Sequence, residues 1–373
     1  MNRKGNDRLQ RRGAYRVLFP LAAVFAALAV PIWLLLRDSP PGYAAPLWHG
    51  HEMLFGYTAA VVAGFLITRA SRLVRVLLLI SWFAARLAPF VPDAWLALVL
   101  GISFPLMLLA PAALPLLRGA KRWENRIVPA VLLVLLGLDG MWWSGALWLG
   151  GQIQQHALLA TVDLFALLML IVGGRAVPAA VGGYLERNGI PRRDYPRRGY
   201  ELPIAGLAGS ACLLDALGLA AAAGVFNVAT ALVTLIRILP WQLHYSRSRV
   251  ALWALALGYS WLIPGLLLKG IAVWWTGIPV ATAVHGITIG ALGTLTLTMM
   301  ARTAALQARQ PLQGFADVGI GVLFISVSAL FRLLTPLAPA WQSSLLWAAA
   351  LLWSAAFLVL LRRLWRIQSK TGN

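Results

Sequence analysis

Charged residues are scarce in this sequence of 373 residues, and acidic residues are the scarcest among them. Asp, Glu, Lys and Arg together make up 12% of the chain, against about 25% in an ordinary soluble domain. Hydrophobic residues make up 60%. So little charge excludes a large soluble domain and indicates an integral membrane protein.

Cysteine is almost absent as well. The single cysteine, Cys212, lies inside an apolar run, which excludes an intramolecular disulfide and a metal site built from cysteines. The sequence also contains no phosphate-binding loop, no HExxH segment and no serine-nucleophile motif. Several common classes of enzyme are therefore not indicated.

Long apolar runs fill the chain from Val17 to Leu361. We predict twelve membrane-crossing helices, each of about 17–25 residues, because a bilayer requires that length. The runs are continuously apolar rather than alternating, which favours helices over barrel strands. The predicted fold class is all-α, a polytopic membrane helix bundle of about twelve transmembrane helices, with residues 1–373 forming a single transmembrane domain.

Basic residues are concentrated in every second predicted loop and in both terminal segments, and the alternate loops are nearly free of Lys and Arg. By the positive-inside rule, both termini are predicted to face the cytoplasm. This alternation explains the formal net charge of +20 without a nucleic-acid partner. The predicted partner of the surface is the lipid bilayer.

Histidines mark the outer ends of three predicted helices. The segment WHGHEM carries His49 and His51 at the start of helix two, while His156 begins helix six and His285 lies about one turn inside helix ten. Because ionisable groups within a membrane span are costly, they are functional candidates. The three helices are four apart, and each histidine is followed by an arginine across one apolar run. This predicts three four-helix repeats at about 17–117, 127–244 and 251–361.

Imidazole is a common ligand of transition metals, and haem iron can be held by two histidines from facing helices. We predict a haem between helices two and ten, bound by His285 and one histidine of WHGHEM. His51 is preferred over His49, since His49 shares a helix face with the small residues Gly56 and Gly64. Haem propionates need cationic partners, and the candidates at the outer ends of odd-numbered helices are Arg37, Arg86, Lys269 and Arg332.

Structural interpretations compete with these roles. A histidine near a helix end is usually interfacial or hydrogen-bonded, and this is the favoured interpretation of His156, with a second metal as the alternative. The outer cations could be snorkelling side chains. Glu52 either anchors an imidazole or stabilises the start of its helix. Three aspartates inside predicted spans form a proton path or pair with neighbouring side chains: Asp139, Asp163 and Asp215.

Two segments resemble the NnrS family: PLWHGHEMLFGYTAAVVAGFLITR and HGITIGALGTLTLTMMAR. The family consists of twelve-span bacterial membrane proteins, described as containing haem and copper and linked to the nitric oxide response. The resemblance implies that the protein lies in the bacterial inner membrane and that His49, His51 and His285 are the family's histidines. It also makes nitric oxide or nitrosyl-iron species candidate partners. Ala256 stands where the family often has a further histidine, which weakens the prediction of a second metal site.

In architecture alone, the predicted arrangement is similar to the core subunits of haem-copper oxidases, but the additional histidines of those proteins are missing, which argues against oxygen reduction. A different class also fits twelve spans with internal repeats, namely a secondary transporter without haem. Whether the protein acts as an enzyme, a sensor or a binding protein is left open by the sequence.

Overall fold

The described part of the chain is helical. A computed structural model describes residues 13–36, 46–119, 123–192, 197–311 and 315–369, and these ranges contain no extended β-strand. Helices suit continuously apolar segments because every backbone N–H and C=O is hydrogen-bonded within the segment. The prediction of an all-α polytopic membrane protein is confirmed.

Ten helices in the described ranges are long and apolar enough to cross a membrane. Two further helices, at residues 46–66 and Arg197–Ala216, are comparably long but more polar. We number all of them in chain order as α1 Tyr15–Leu36, α2 46–66, α3 Arg72–Phe90, α4 Ala94–Pro115, α5 Ile127–Leu149, α6 Gly151–Arg187, α7 Arg197–Ala216, α8 Ala220–Trp241, α9 Val250–Ile271, α10 Val280–Gln307, α11 Ala316–Leu337 and α12 Pro339–Ser369.

Helix α6 is longer than its sequence predicts. The apolar pattern indicates an end near Val177, but the helix continues to Arg187 and contains 37 residues. At about 1.5 Å per residue it exceeds the roughly 30 Å hydrocarbon core of a bilayer. Its last turns, in the segment GGYLER, therefore extend past the apolar run that set the predicted boundary.

The chain divides into two compact units. The first comprises residues 1–158 and 361–373, and the second comprises residues 159–360. The first unit contains α1–α5, and the second contains most of α6 and α7–α11. The single transmembrane domain and the three four-helix repeats stay predictions.

Glycines allow close helix packing inside each unit. In the first unit, a Cβ atom at Gly64 of α2 would lie 2.6 Å from the ring of Phe19 in α1. In the second, a Cβ atom at Gly286 of α10 would lie 2.8 Å from the Cα of Gly265 in α9. Gly64 and Gly286 therefore lie where neighbouring helices pack closely.

Two of the predicted histidine helices change their winding directly after a histidine. Residues Glu52–Thr58 of α2, which follow His51, are π-helical, and so are Gly286–Gly293 of α10, which follow His285. Wide π-helical turns are rare and occur often at functional sites. The starts of α2 and α10, which carry predicted haem ligands, are therefore candidate functional regions.

Candidate functional site

His51 lies in a buried network of charged side chains in the first unit. Its ring is 1% exposed, its Nδ1 lies 3.2 Å from Oε1 of Glu52, and its Nε2 lies 2.8 Å from Oδ1 of Asp139 in α5. Carboxylate oxygens only accept hydrogen bonds, so an arrangement in which both nitrogens donate makes His51 an imidazolium. Neither nitrogen then has a lone pair available for a metal.

Aromatic rings enclose the same imidazole. The ring of Trp142 stacks on His51 at a centroid distance of 4.0 Å, and Phe55 stacks at 4.9 Å. Trp143 approaches edge-on at 5.8 Å. These walls exclude bulk water, so the charges interact in a medium of low dielectric constant.

Arg86 of α3 completes the network. Its Nε lies 2.6 Å from Oε2 of Glu52, and its guanidinium lies over the ring of Trp82 at 5.4 Å. A Cβ atom at Gly56 would lie 2.9 Å from Nη1 of Arg86, so the glycine leaves room for the guanidinium. We call Asp139, His51, Glu52 and Arg86 the His51 cluster; with His51 protonated, its formal charges cancel. Glu52 therefore contacts both the imidazole of His51 and the guanidinium of Arg86.

His285 has a different environment, in the second unit. Its Nδ1 lies 3.2 Å from the backbone carbonyl oxygen of Thr282, and the ring is half-buried at the start of α10. A carbonyl oxygen accepts only, so the contact assigns the ring proton to Nδ1 and a lone pair to Nε2 of the neutral imidazole. Metal-ligating histidines are commonly oriented by this kind of hydrogen bond.

A cation lies beside this histidine. Nη1 of Arg332 in α11 donates to Oγ1 of Thr282 at 3.1 Å and to Oγ1 of Thr335 at 2.9 Å. Thr282 therefore contacts both His285 and Arg332, one through its carbonyl and the other through its hydroxyl. We call His285, Thr282 and Arg332 the His285 site.

The remaining histidines lie outside the His51 cluster and the His285 site. His49 is half-buried, and its ring stacks on Trp33 of α1 at 4.5 Å. His156 is half-buried near the start of α6, and His244 is exposed beside Tyr245. Among the described residues, no group of three or more His, Cys, Asp or Glu is arranged to hold a metal ion.

The four predicted propionate partners have separate positions. Arg37 lies outside the described residues. Arg86 belongs to the His51 cluster and Lys269 contacts two aspartates, so carboxylates already accompany both cations. Arg332 lies beside His285, because both residues contact Thr282.

Sequence reasoning missed a second buried network, although it noted each of its three members separately. Lys269 of α9 contacts Asp163 of α6, and its Nζ lies 2.6 Å from Oδ2 of Asp215 in α7. All three side chains lie within apolar helices and are at most 4% exposed. The signal that could have found the network is the match of two intramembrane acids with one intramembrane base. We call it the Lys269 triad.

A family model described as NnrS protein matches residues 11–370, nearly the whole chain. No curated protein matches.

Proposed function

The chain belongs to the NnrS family, and from this premise we propose that it is a haem-binding membrane protein of the nitric oxide response. Histidine-ligated haem iron supplies a site for diatomic ligands or for electron transfer. The family membership supports the biological role, and the His285 site supports the position of one axial ligand.

The geometry of His285 is the observation that carries the haem assignment. The hydrogen bond from Nδ1 to the Thr282 carbonyl fixes the tautomer in which Nε2 has the lone pair that iron requires. Arg332, held by Thr282 and Thr335, supplies a positive charge at the same site. The residues present therefore fit an axial ligand with a cation beside it for a propionate.

For the second axial ligand, the contacts reverse the preference drawn from the sequence. Both nitrogens of His51 face carboxylates, and its two ring faces contact Trp142 and Phe55. His49 stacks its ring on Trp33 of α1. We assign the ligand role in WHGHEM to His49, and a positioning role at the start of α2 to His51.

Location and copper complete the proposal. The protein lies in the bacterial inner membrane with both termini in the cytoplasm, as the distribution of basic residues predicts. The family is described as containing copper. Among the described residues, His156 belongs to no cluster of His, Cys, Asp or Glu that could bind a metal ion.

Absorption spectra of the purified full-length protein test the proposal. We expect a Soret band in the wild type, loss of haem or a high-spin spectrum in His49→Ala, and a retained low-spin spectrum in the folded fraction of His51→Ala. His244→Ala is the matched control, because His244 is exposed and outside both sites. A colourless wild-type protein would contradict haem binding and favour the alternative, a secondary transporter without haem. Haem loss in His51→Ala but not in His49→Ala would overturn the assignment within WHGHEM.

A further inference from the structure

The Lys269 triad joins three helices of the second unit inside the apolar part of the protein. Asp163 is 1% exposed, Asp215 is 3% exposed and Lys269 is 2% exposed. All three lie within helices that are continuously apolar around them. The triad is separate from the His51 cluster and the His285 site, with which it shares no residue.

The lysine in the triad uses all three of its donors. The Nζ atom contacts a carboxylate oxygen of Asp163, lies 2.6 Å from Oδ2 of Asp215, and lies 3.5 Å from the carbonyl oxygen of Leu159. An ammonium group has three N–H donors and no acceptor. The contacts therefore suit a protonated lysine, and any change of charge in the triad falls on a carboxyl group.

The formal charges of the triad do not cancel. Two carboxylates and one ammonium sum to one negative charge, and an unbalanced charge is costly in a medium of low dielectric constant. Among the described residues, the other polar groups near the triad are neutral: the amide of Asn227 in α8, whose Nδ2 lies 3.5 Å from Oδ2 of Asp163, and the buried thiol of Cys212 in α7. The formal charges of the His51 cluster, in contrast, cancel when its imidazole is protonated.

We propose that the Lys269 triad is a binding site for one exchangeable proton, shared between the carboxyl groups of Asp163 and Asp215. Uptake converts one carboxylate to a carboxylic acid by forming an O–H bond, and it changes the net charge of the triad from minus one to zero. The lysine keeps its proton throughout. Both carboxyl groups contact the same ammonium, so the proton belongs to the pair rather than to one residue.

Ionisable residues within membrane spans mark proton relays and ion pathways in transport proteins. A proton that enters and leaves the triad would give this part of the protein a proton-transfer function independent of haem. The alternative is that both carboxylates and the ammonium stay charged, and that their ion pairs only hold α6, α7 and α9 together. These two accounts differ in whether a carboxylic acid forms within the physiological range of pH.

Infrared difference spectroscopy of the full-length protein in lipid nanodiscs distinguishes them. The probe is the C=O stretch of a protonated carboxyl group, recorded between about pH 5 and about pH 9, a range that lies above the usual titration of aspartate. Protein labelled with ¹³C at the aspartate carboxyl carbon identifies the band by its isotope shift. We expect the wild type to show one aspartate band that disappears as the pH rises.

Replacing the aspartates and replacing the lysine should change the carboxylic acid band in opposite directions. Asp163→Asn and Asp215→Asn each leave one carboxylate with one ammonium, so we expect the band to be lost. Lys269→Met leaves two carboxyl groups without a cation, so the band should persist to higher pH than in the wild type. The matched control is Asp317→Asn at the start of α11, where the carboxylate accepts a hydrogen bond from the backbone N–H of Val318, and it should keep the band.

Three outcomes would overturn the proposal. The first is a wild-type spectrum without an aspartate band. This test does not depend on whether any variant folds. The second is a band that remains in both Asp→Asn variants. The third is loss of the band at constant pH when choline is replaced by sodium, which would assign the site to a metal cation. Repeating the measurement on haem-free His285→Ala protein should leave the band unchanged, so the triad and the haem site are tested separately.

Discussion

The Nε2 atom of His51 lies 2.8 Å from Oδ1 of Asp139, and this contact connects α2 to α5 across 88 residues of sequence. Both side chains are 1% exposed. The contact places His51 at the centre of the His51 cluster, whose formal charges cancel when the imidazole is protonated. Its main consequence is for the stability of the first unit.

Asp139→Ala should therefore destabilise the protein while sparing haem. Removing one partner of a buried charge pair leaves the other charge uncompensated, which costs about 3–5 kcal/mol. Thermal unfolding in detergent and the ratio of haem to protein measure the two effects. Glu186→Gln is the control, since the Glu186 side chain is 68% exposed and its pairing should be worth at most about 1 kcal/mol. Loss of haem from Asp139→Ala without a lower unfolding temperature would show that the His51 cluster binds the cofactor.

Gly265→Ala should also destabilise the protein. Its added Cβ atom would lie 2.7 Å from the backbone nitrogen of Ile287 in α10, where the backbone cannot give way as a side chain would. Overpacking of this kind costs about 1–3 kcal/mol. Gly206→Ala in α7 is the matched control, because its Cβ atom would meet nothing within 4 Å. Equal unfolding temperatures for the two variants would contradict the close approach of α9 and α10.

His156→Ala should leave both haem and non-haem metal content unchanged. The residue begins α6 and is half-buried, but it belongs to no group of metal-binding side chains among the described residues. Elemental analysis of purified protein, with the wild type prepared in parallel, measures the metal content. A specific drop in copper with haem retained would instead assign His156 to a second metal site.

Membrane topology is testable with two exposed positions. Cysteines introduced at Asn188, after α6, and at Thr276, before α10, should react with an impermeant thiol reagent from opposite sides of the membrane. Asn188 belongs to a basic loop that the positive-inside rule places in the cytoplasm. Cys212 is buried, so the wild type serves as the unlabelled control. Labelling of both positions from the same side would contradict the topology and the outer position of the histidines.

The helices were predictable because each depends on local composition. Continuous apolar runs predicted helical spans, and the largest discrepancy is the end of α6, where the helix continues after the apolar run stops at Val177. The sequence also identified WHGHEM and His285 as candidate site residues, because histidines are rare in this chain. These inferences needed no knowledge of tertiary contacts.

The partners of the buried charges were not predictable, because they join distant segments. Nothing local indicates that His51 faces Asp139, and without that contact His51 remained the preferred haem ligand. Lys269 was interpreted from its place near a helix end, whereas its actual environment is set by Asp163 and Asp215 from two other helices. Pairing across helices depends on helix rotation and packing, which composition does not specify.

The most direct test of the account is the absorption spectrum of purified His285→Ala, recorded together with its haem-to-protein ratio. Removing an axial ligand removes an iron–nitrogen bond, so we predict loss of haem or conversion to a high-spin spectrum. Arg332→Gln, which keeps His285, should weaken haem retention while leaving the spectrum of the remaining haem low-spin. A normal low-spin spectrum and full haem occupancy in His285→Ala would contradict the central claim that this histidine binds the haem iron.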